Sequence, residues 1–209
     1  MIFVTGCARS GTSLITKILK AHGCNLGDPV NALNENTGVR EGVLKPYLRS
    51  IGADHLGQRK LPDTNNLVPI DGLREKVLKH FPPWDPVAYK DAKLTLVWPV
   101  FSAAFPEAKW VVVRRDRERI VDSCLRTDFM FSYNERQPWM DWVLEHEARF
   151  SDMAYKLDMI EVWTDAVVQE ASNFAPVCTF LGLEFDLDAT LTAVDAKKWH
   201  PSDAAAPVL

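Results

Sequence analysis

Short apolar, β-favouring runs alternate along this chain with stretches whose apolar residues recur at helical spacing. Residues 2–5 form the first such run, and Gly6 ends it. Leu14, Ile15, Ile18 and Leu19 then follow a helical period from Thr12, and Gly23 closes that helix. Residues 25–70 are richer in Asn, Gly, Pro and Asp, and read as loops around one helix near 42–51. Residues 71–80 have a helical pattern, broken by the proline-rich stretch 82–86. Residues 94–97 read as a strand and 100–105 as a short helix. Residues 110–113 are continuously apolar, as in a strand covered on both faces. Helices are predicted over 118–126 and 139–157, a strand over 159–163, and a helix over 166–181 interrupted at Pro176.

Strands that alternate with helices predict an α/β fold: a single domain, its central parallel sheet flanked by helices in three layers. The expected domain spans residues 1–202, with 203–209 as a flexible tail. No internal repeat and no low-complexity linker divides it.

Composition narrows the function classes. Hydrophobic residues make up 47% and charged residues 25%, so the chain is neither disordered nor fibrous. The net charge of -4 disfavours a general nucleic-acid binder and requires any anionic ligand to be held by a local cluster. Cys7, Cys24, Cys124 and Cys178 are too far apart for a zinc or redox pair, and predict reduced, buried thiols in a cytoplasmic protein. No run reaches about 18 apolar residues, so no membrane span is expected. The chain enters a strand at Ile2, which predicts no signal peptide.

The candidate chemistry lies first in Gly6-Cys7-Ala8-Arg9-Ser10-Gly11-Thr12-Ser13, between predicted strand and predicted helix. Glycines let such a loop turn its N–H groups inward as an anion nest, and the following helix adds its positive N-terminus. The bland alternative is a plain glycine-rich turn. A nucleotide-binding Walker loop needs Lys after its second Gly, where this chain has Thr12. The cation is Arg9, inside the loop. A cysteine phosphatase needs Arg six residues after its Cys, and that residue is Ser13, so Cys7 reads as packing.

Arg9-Ser10-Gly11-Thr12-Ser13 in this setting resembles the phosphosulfate-binding loop of PAPS-dependent sulfotransferases, of the soluble bacterial or phage-like type. That family's other motif is a strand ending in Arg with Ser eight residues later, and Arg115 to Ser123 has that spacing. The alternative there is a solvated face on which Arg114, Arg115, Arg117 and Arg119 pair with Asp116, Glu118 and Asp122. Residues 89–94 resemble the family's Lys-Asp-Pro-Arg segment, with Ala92 and Lys93 in place of Pro and Arg, and 180–183 resemble its Phe-Leu-Gly-Leu.

The resemblance implies a P-loop-NTPase-like fold and metal-independent, in-line sulfuryl transfer from PAPS, leaving PAP, to a small-molecule or glycan acceptor. Residues 6–13 would hold the 5′-phosphosulfate, Arg9 would stabilise charge on the departing phosphate, and Arg115 and Ser123 would fix the 3′-phosphate. Nucleic-acid or membrane partners are not implied. The acceptor's proton needs a base. No His precedes Pro99, where aryl and steroid sulfotransferases carry theirs. Glu41, in a stretch resembling the Asn, Gly, Glu pattern of bacterial members, is the favoured base, with Glu35 and Asp91 as alternatives; a surface role is open for Glu41 and Glu35, and orientation of Lys90 for Asp91. The aromatic stretch Phe129, Phe131, Tyr133, Trp139, Trp142 reads as core or as acceptor wall. Lys197 to His200 falls where the family covers its cofactor, or is a solvated tail. A nucleotide kinase with a degenerate loop and a non-catalytic PAP- or nucleotide-binding module are the other readings.

Overall fold

The computed structural model describes residues 1–59, 61–84 and 86–194. Strand β1 (Ile2–Gly6) is buried along its whole length. It pairs in parallel with β2 (Ala88–Lys90) on one side and β3 (Lys109–Arg114) on the other. Strand β4 (Met159–Trp163) pairs in parallel with β3, so the order is β2-β1-β3-β4. The chain runs from β1 out to β2, then returns past β1 to β3. That reversal puts a topological switch point between the carboxyl ends of β1 and β3, where open α/β sheets bind ligands.

Side chains alternate across the sheet and feed two cores. Ile2, Val4, Val111, Val113 and Val162 pack on one face against α1 (Thr12–Ala21), α8 (Thr164–Gln169), α9 (Ala175–Leu181) and α10 (Leu187–Ala193). Phe3, Tyr89, Trp110 and Val112 line the other face. There they meet a helical run made of α2 (Thr37–Val39), a π-helical turn (Arg40–Leu44) and α3 (Lys45–Ser50). Helices α4 (Leu73–Leu78), α5 (Leu94–Ala104), α6 (Arg117–Leu125) and α7 (Arg136–Lys156) complete that layer. Phe3 is the hub, with the rings of Phe105 and Trp110 at 5.2 and 4.7 Å.

Two elements differ from the sequence expectation. Residues 94–97 are not a strand but the start of α5. A continuous apolar run has no period, and α5 is buried nearly all round, so strand and helix read alike. Thr5 decides the matter: its hydroxyl accepts from Thr95 N at 3.0 Å and reaches Asp91 O at 3.0 Å, fastening a helix start to β1. The strand is instead β2, three residues long and too short to show a period. The helix expected over 166–181 is broken at Glu170, not at Pro176. Asn173 Nδ2 donates at 2.9 Å to the Ala166 carbonyl, which also accepts from Glu170 N at 2.9 Å, while Pro176 sits in the first turn of α9, where proline is tolerated. Residues 203–209 and 197–200 lie outside the described residues.

Among the described residues no helix is long and apolar enough to cross a membrane. All four cysteines are buried and unbonded.

Candidate active site

Glycines shape the loop after β1 for steric reasons. A Cβ on Gly6 would stand 2.5 Å from Val113 O and 2.8 Å from Ser10 Oγ, so the loop lies flush against β3. Gly11 takes φ 97°, and a Cβ there would meet Thr164 Cγ2 at 2.6 Å. Thr164, at the end of β4, donates its hydroxyl to Ser10 O at 2.6 Å and pins the loop from above. Arg9 adopts φ 72°, a left-handed conformation that costs a non-glycine residue about 1 kcal/mol or more. Helix α1 starts behind Gly11 with no side-chain cap and no acidic residue in its first turn. Its first N–H groups and the positive end of its dipole therefore face the loop.

The loop contains a buried polar atom, Ser10 Oγ, with no hydrogen-bond partner among the described residues. Buried hydroxyls rarely stay unpaired, and a bound anion would satisfy this one. Cys7 has no such role. Burial, then the neighbouring Cys124 and Glu147, pushes its thiol well above the usual range. It packs in the core beside Phe3.

The end of β3 delivers the second cation. Arg115 is buried, and its Nη1 donates to Arg9 O at 3.2 Å. Asp165 Oδ1 lies 3.8 Å from its Nε and 3.0 Å from Arg119 Nη1. Arg114 points into a different environment. It pairs with Glu161 at 2.7 Å and Glu147 at 3.2 Å, between the rings of Phe150 and Trp163. Of the solvated-face pairs weighed from sequence, Arg115 is therefore not one. Ser123 projects from α6, and its Oγ accepts from Arg9 Nε at 2.9 Å. Arg9, Arg115 and Ser123 thus converge, although more than 100 residues separate the two motifs.

The carboxylates separate by environment. Glu35 is buried and saturated: Oε1 accepts from Lys90 Nζ at 3.1 Å, and Oε2 from Asn31 Nδ2 at 2.9 Å and from Arg40 Nη1. Asp91 is fully buried, its Oδ1 accepting from Lys93 N at 2.9 Å. Burial alone would raise its pKa, but Lys93 and Arg40 outweigh that and hold it below the ordinary value. Glu41 is the accessible one, its side chain 53% exposed. It bonds Lys45 at 2.6 Å and lies 3.4 Å from Arg40, and the Lys45 bond keeps it ionised below the usual range.

The sequence motifs understate Lys90. Its ammonium is buried at the end of β2 and donates to Ser13 Oγ at 3.1 Å, Leu33 O at 3.0 Å and Glu35. Burial pushes its pKa down to about 7. It adds a third cation to the loop, on the side away from Arg115. The signal was present as the Lys-Asp stretch, but its strand is too short to be found by period. Thr164 and Gln58 carried no signal at all. The aromatic stretch divides: Trp139 and Trp142 are core, while Phe129 and Phe131 are exposed. His146 is buried, its pKa lowered by burial to about 4. Among the described residues no group of His, Cys, Asp and Glu has a metal-binding arrangement.

A glycine-shaped βα loop faces a second arginine across the sheet's switch point, the place where α/β folds hold anionic ligands. The chain belongs to the sulfotransferase family, whose model matches residues 2–186. It is similar in structure to the sulfotransferase domain of the olefin synthase from Synechococcus PCC 7002, at TM-score 0.57 and 16% identity, covering 92% of this chain and 76% of that one. It is also similar to the sulfotransferase STF1 from Mycobacterium tuberculosis, at TM-score 0.53 and 14% identity, covering 97% and 72%. A third structure is retinol dehydratase in complex with androsterone and the inactive cofactor PAP, at TM-score 0.50 and 14% identity, covering 97% and 66%. No curated protein sequence matches the chain. Family and fold together make the chain a sulfotransferase, with sulfuryl transfer as its general chemistry.

Proposed function

We propose that this chain transfers a sulfuryl group from PAPS to a hydroxyl or amine of a small acceptor, by in-line displacement and without a metal ion. PAPS, when bound, supplies the sulfuryl group on a phosphate leaving group. The observation that carries the reading is the convergence of Arg9, Arg115 and Ser123 beside an uncapped helix N-terminus. A retinol dehydratase of the same fold was solved with PAP, which supports the cofactor.

In this reading the loop amides, Ser10 Oγ and Lys90 bind the 5′-phosphosulfate. Arg115 and Ser123 take the 3′-phosphate. Arg9 lies between the two and stabilises the negative charge that grows on the phosphate as the sulfur–oxygen bond breaks. Glu41, ionised and accessible, accepts the acceptor's proton as the new oxygen–sulfur or nitrogen–sulfur bond forms. Glu35, with both oxygens occupied, holds Lys90 on Ser13 and acts as a positioning residue.

Calorimetric titration of PAP, ADP and ATP tests the reading. PAP is expected to bind tighter than ADP by roughly tenfold to a hundredfold, since it alone offers a 3′-phosphate. Equal affinity for PAP and ADP overturns it, and magnesium-dependent ATP binding would make the chain a kinase.

A further inference from the structure

Two consecutive residues where β4 passes into α8, Thr164 and Asp165, touch both halves of the phosphate cradle. Thr164 is fully buried. Its hydroxyl, which donates to Ser10 O, also lies 3.2 Å from Arg114 O, so one side chain joins the loop after β1 to the end of β3. Asp165 reaches the arginine that follows. Its Oδ1 stands between two guanidiniums, 3.0 Å from Arg119 Nη1 and 3.8 Å from Arg115 Nε. Its Oδ2 accepts from Asp116 N at 3.5 Å, and Asp116 caps α6 by accepting from Arg119 N at 3.0 Å. The side chains of Arg115, Arg119 and Asp165 are 7%, 10% and 15% exposed, so solvent screens them little.

Charge alone gives this carboxylate the wrong sign, because an anion beside Arg115 opposes a phosphate bound there. Geometry gives it a use. A guanidinium is a planar fork whose hydrogen bonds weaken steeply as they bend, so the direction of its plane decides which acceptor it reaches. Arg115 is held at two points of that plane, with Nη1 on Arg9 O at 3.2 Å and Nε facing Asp165. One carboxylate between two guanidiniums still leaves the group cationic. Thr164 fixes the loop and Asp165 fixes Arg115 from adjacent backbone positions. The loop and the second cation are therefore set relative to each other by one short piece of chain.

We propose that Asp165 is a positioning residue that, with Thr164, sets the distance and angle between the two phosphate subsites and so selects the 3′,5′ arrangement of phosphates over its isomers. The inference rests on the cofactor reading and deepens it. Arg115 supplies the charge for the second phosphate, and Asp165 decides where on the ribose that phosphate must sit.

The test is calorimetric titration of the full chain with PAP, with adenosine 2′,5′-bisphosphate, which carries the same charge, and with ADP. Wild type is expected to bind PAP about tenfold or more tighter than the 2′,5′ isomer. Asp165→Asn, isosteric and uncharged, should weaken PAP by about tenfold and leave ADP and the isomer within about threefold, so that the preference for PAP nearly vanishes. Asp165→Glu keeps the charge and displaces it by one methylene. It should lose part of the preference, and it carries the comparison should the Asn variant not fold. Tighter PAP binding by Asp165→Asn would show that the carboxylate only repels, and overturns the positioning role. A PAP-to-isomer ratio unchanged in both variants overturns it too, as does an equal loss for all three ligands. A wild type that prefers PAP to ADP but not to the isomer overturns the selection and leaves the cofactor reading standing. Equal affinity of wild type for PAP and ADP overturns the cofactor reading and this inference with it.

Discussion

The two sides of the site are built on opposite plans. The phosphate cradle is buried and over-determined: Gly6 against β3, Gly11 against Thr164, Arg115 on Arg9, Lys90 on Ser13. Other groups considered for the site are exposed: Glu41, tied to Lys45, and, on a different segment, Phe129 and Phe131. A charged, invariant ligand is best met by a rigid nest whose dipoles need no reorganisation. An acceptor that must enter and leave is met by surface side chains on short clasps. On the proposed function, the rigid half would govern whether the donor binds, and the exposed groups would act on the acceptor.

Four measurements break or sharpen that contrast. The largest effect is expected for Arg9→Ala, which removes the cation at the seam between the halves. Turnover should fall about 10²–10³-fold, and PAP affinity much less. If PAP binding collapsed while turnover at saturation held, Arg9 would belong to the cradle alone. Next, Glu41→Gln should cost on the order of a hundredfold in turnover with PAP affinity unchanged. Its control, Glu35→Gln, should instead weaken PAP, because it releases Lys90. Turnover surviving in the first variant and lost in the second would transfer the base to Glu35.

Third, Arg115→Ala should bring PAP affinity down toward that of ADP, roughly tenfold to a hundredfold, and leave ADP nearly untouched. A parallel loss for both nucleotides would place Arg115 on the 5′ side. The smallest effect concerns pH. Lys90, with its pKa near 7, is charged below that value and neutral above it. Its attraction for an anion is therefore present in acid and lost as pH rises through 7. Wild type and Lys90→Met should differ several-fold in PAP affinity at about pH 6 and converge near pH 8.5. A constant difference across that range would show Lys90 to be charged throughout.

Much of the cradle was legible because its physics is local. Gly6 and Gly11 announce a turn, the helical period from Thr12 places an N-terminus, and the spacing from Arg115 to Ser123 matches one strand end and the helix after it. The structure brings these residues together at the switch point. The rest depends on long-range contacts that leave no local trace. Thr164 meets Ser10 from 154 residues away, and nothing in its neighbourhood distinguishes it. Gln58 is an ordinary loop residue until Phe129 arrives across 71 residues. The strand carrying Lys90 is too brief for a period, and the buried α5 hides its helical period in continuous hydrophobicity. The exposure that separates Glu41 from Glu35 is likewise a property of the packed chain, not of the five residues between them.

The β1–β3 register carries a consequence for how the protein ages and fails. Arg9 and Ser123 are brought together by strands paired from Ile2↔Lys109 to Gly6↔Val113, at the centre of the sheet. A contact of such separation must overcome the loop-closure entropy of the chain between its ends, and core strands open only with the whole fold. The cradle should therefore have no half-life of its own. Heat or denaturant should abolish donor binding at the global unfolding midpoint.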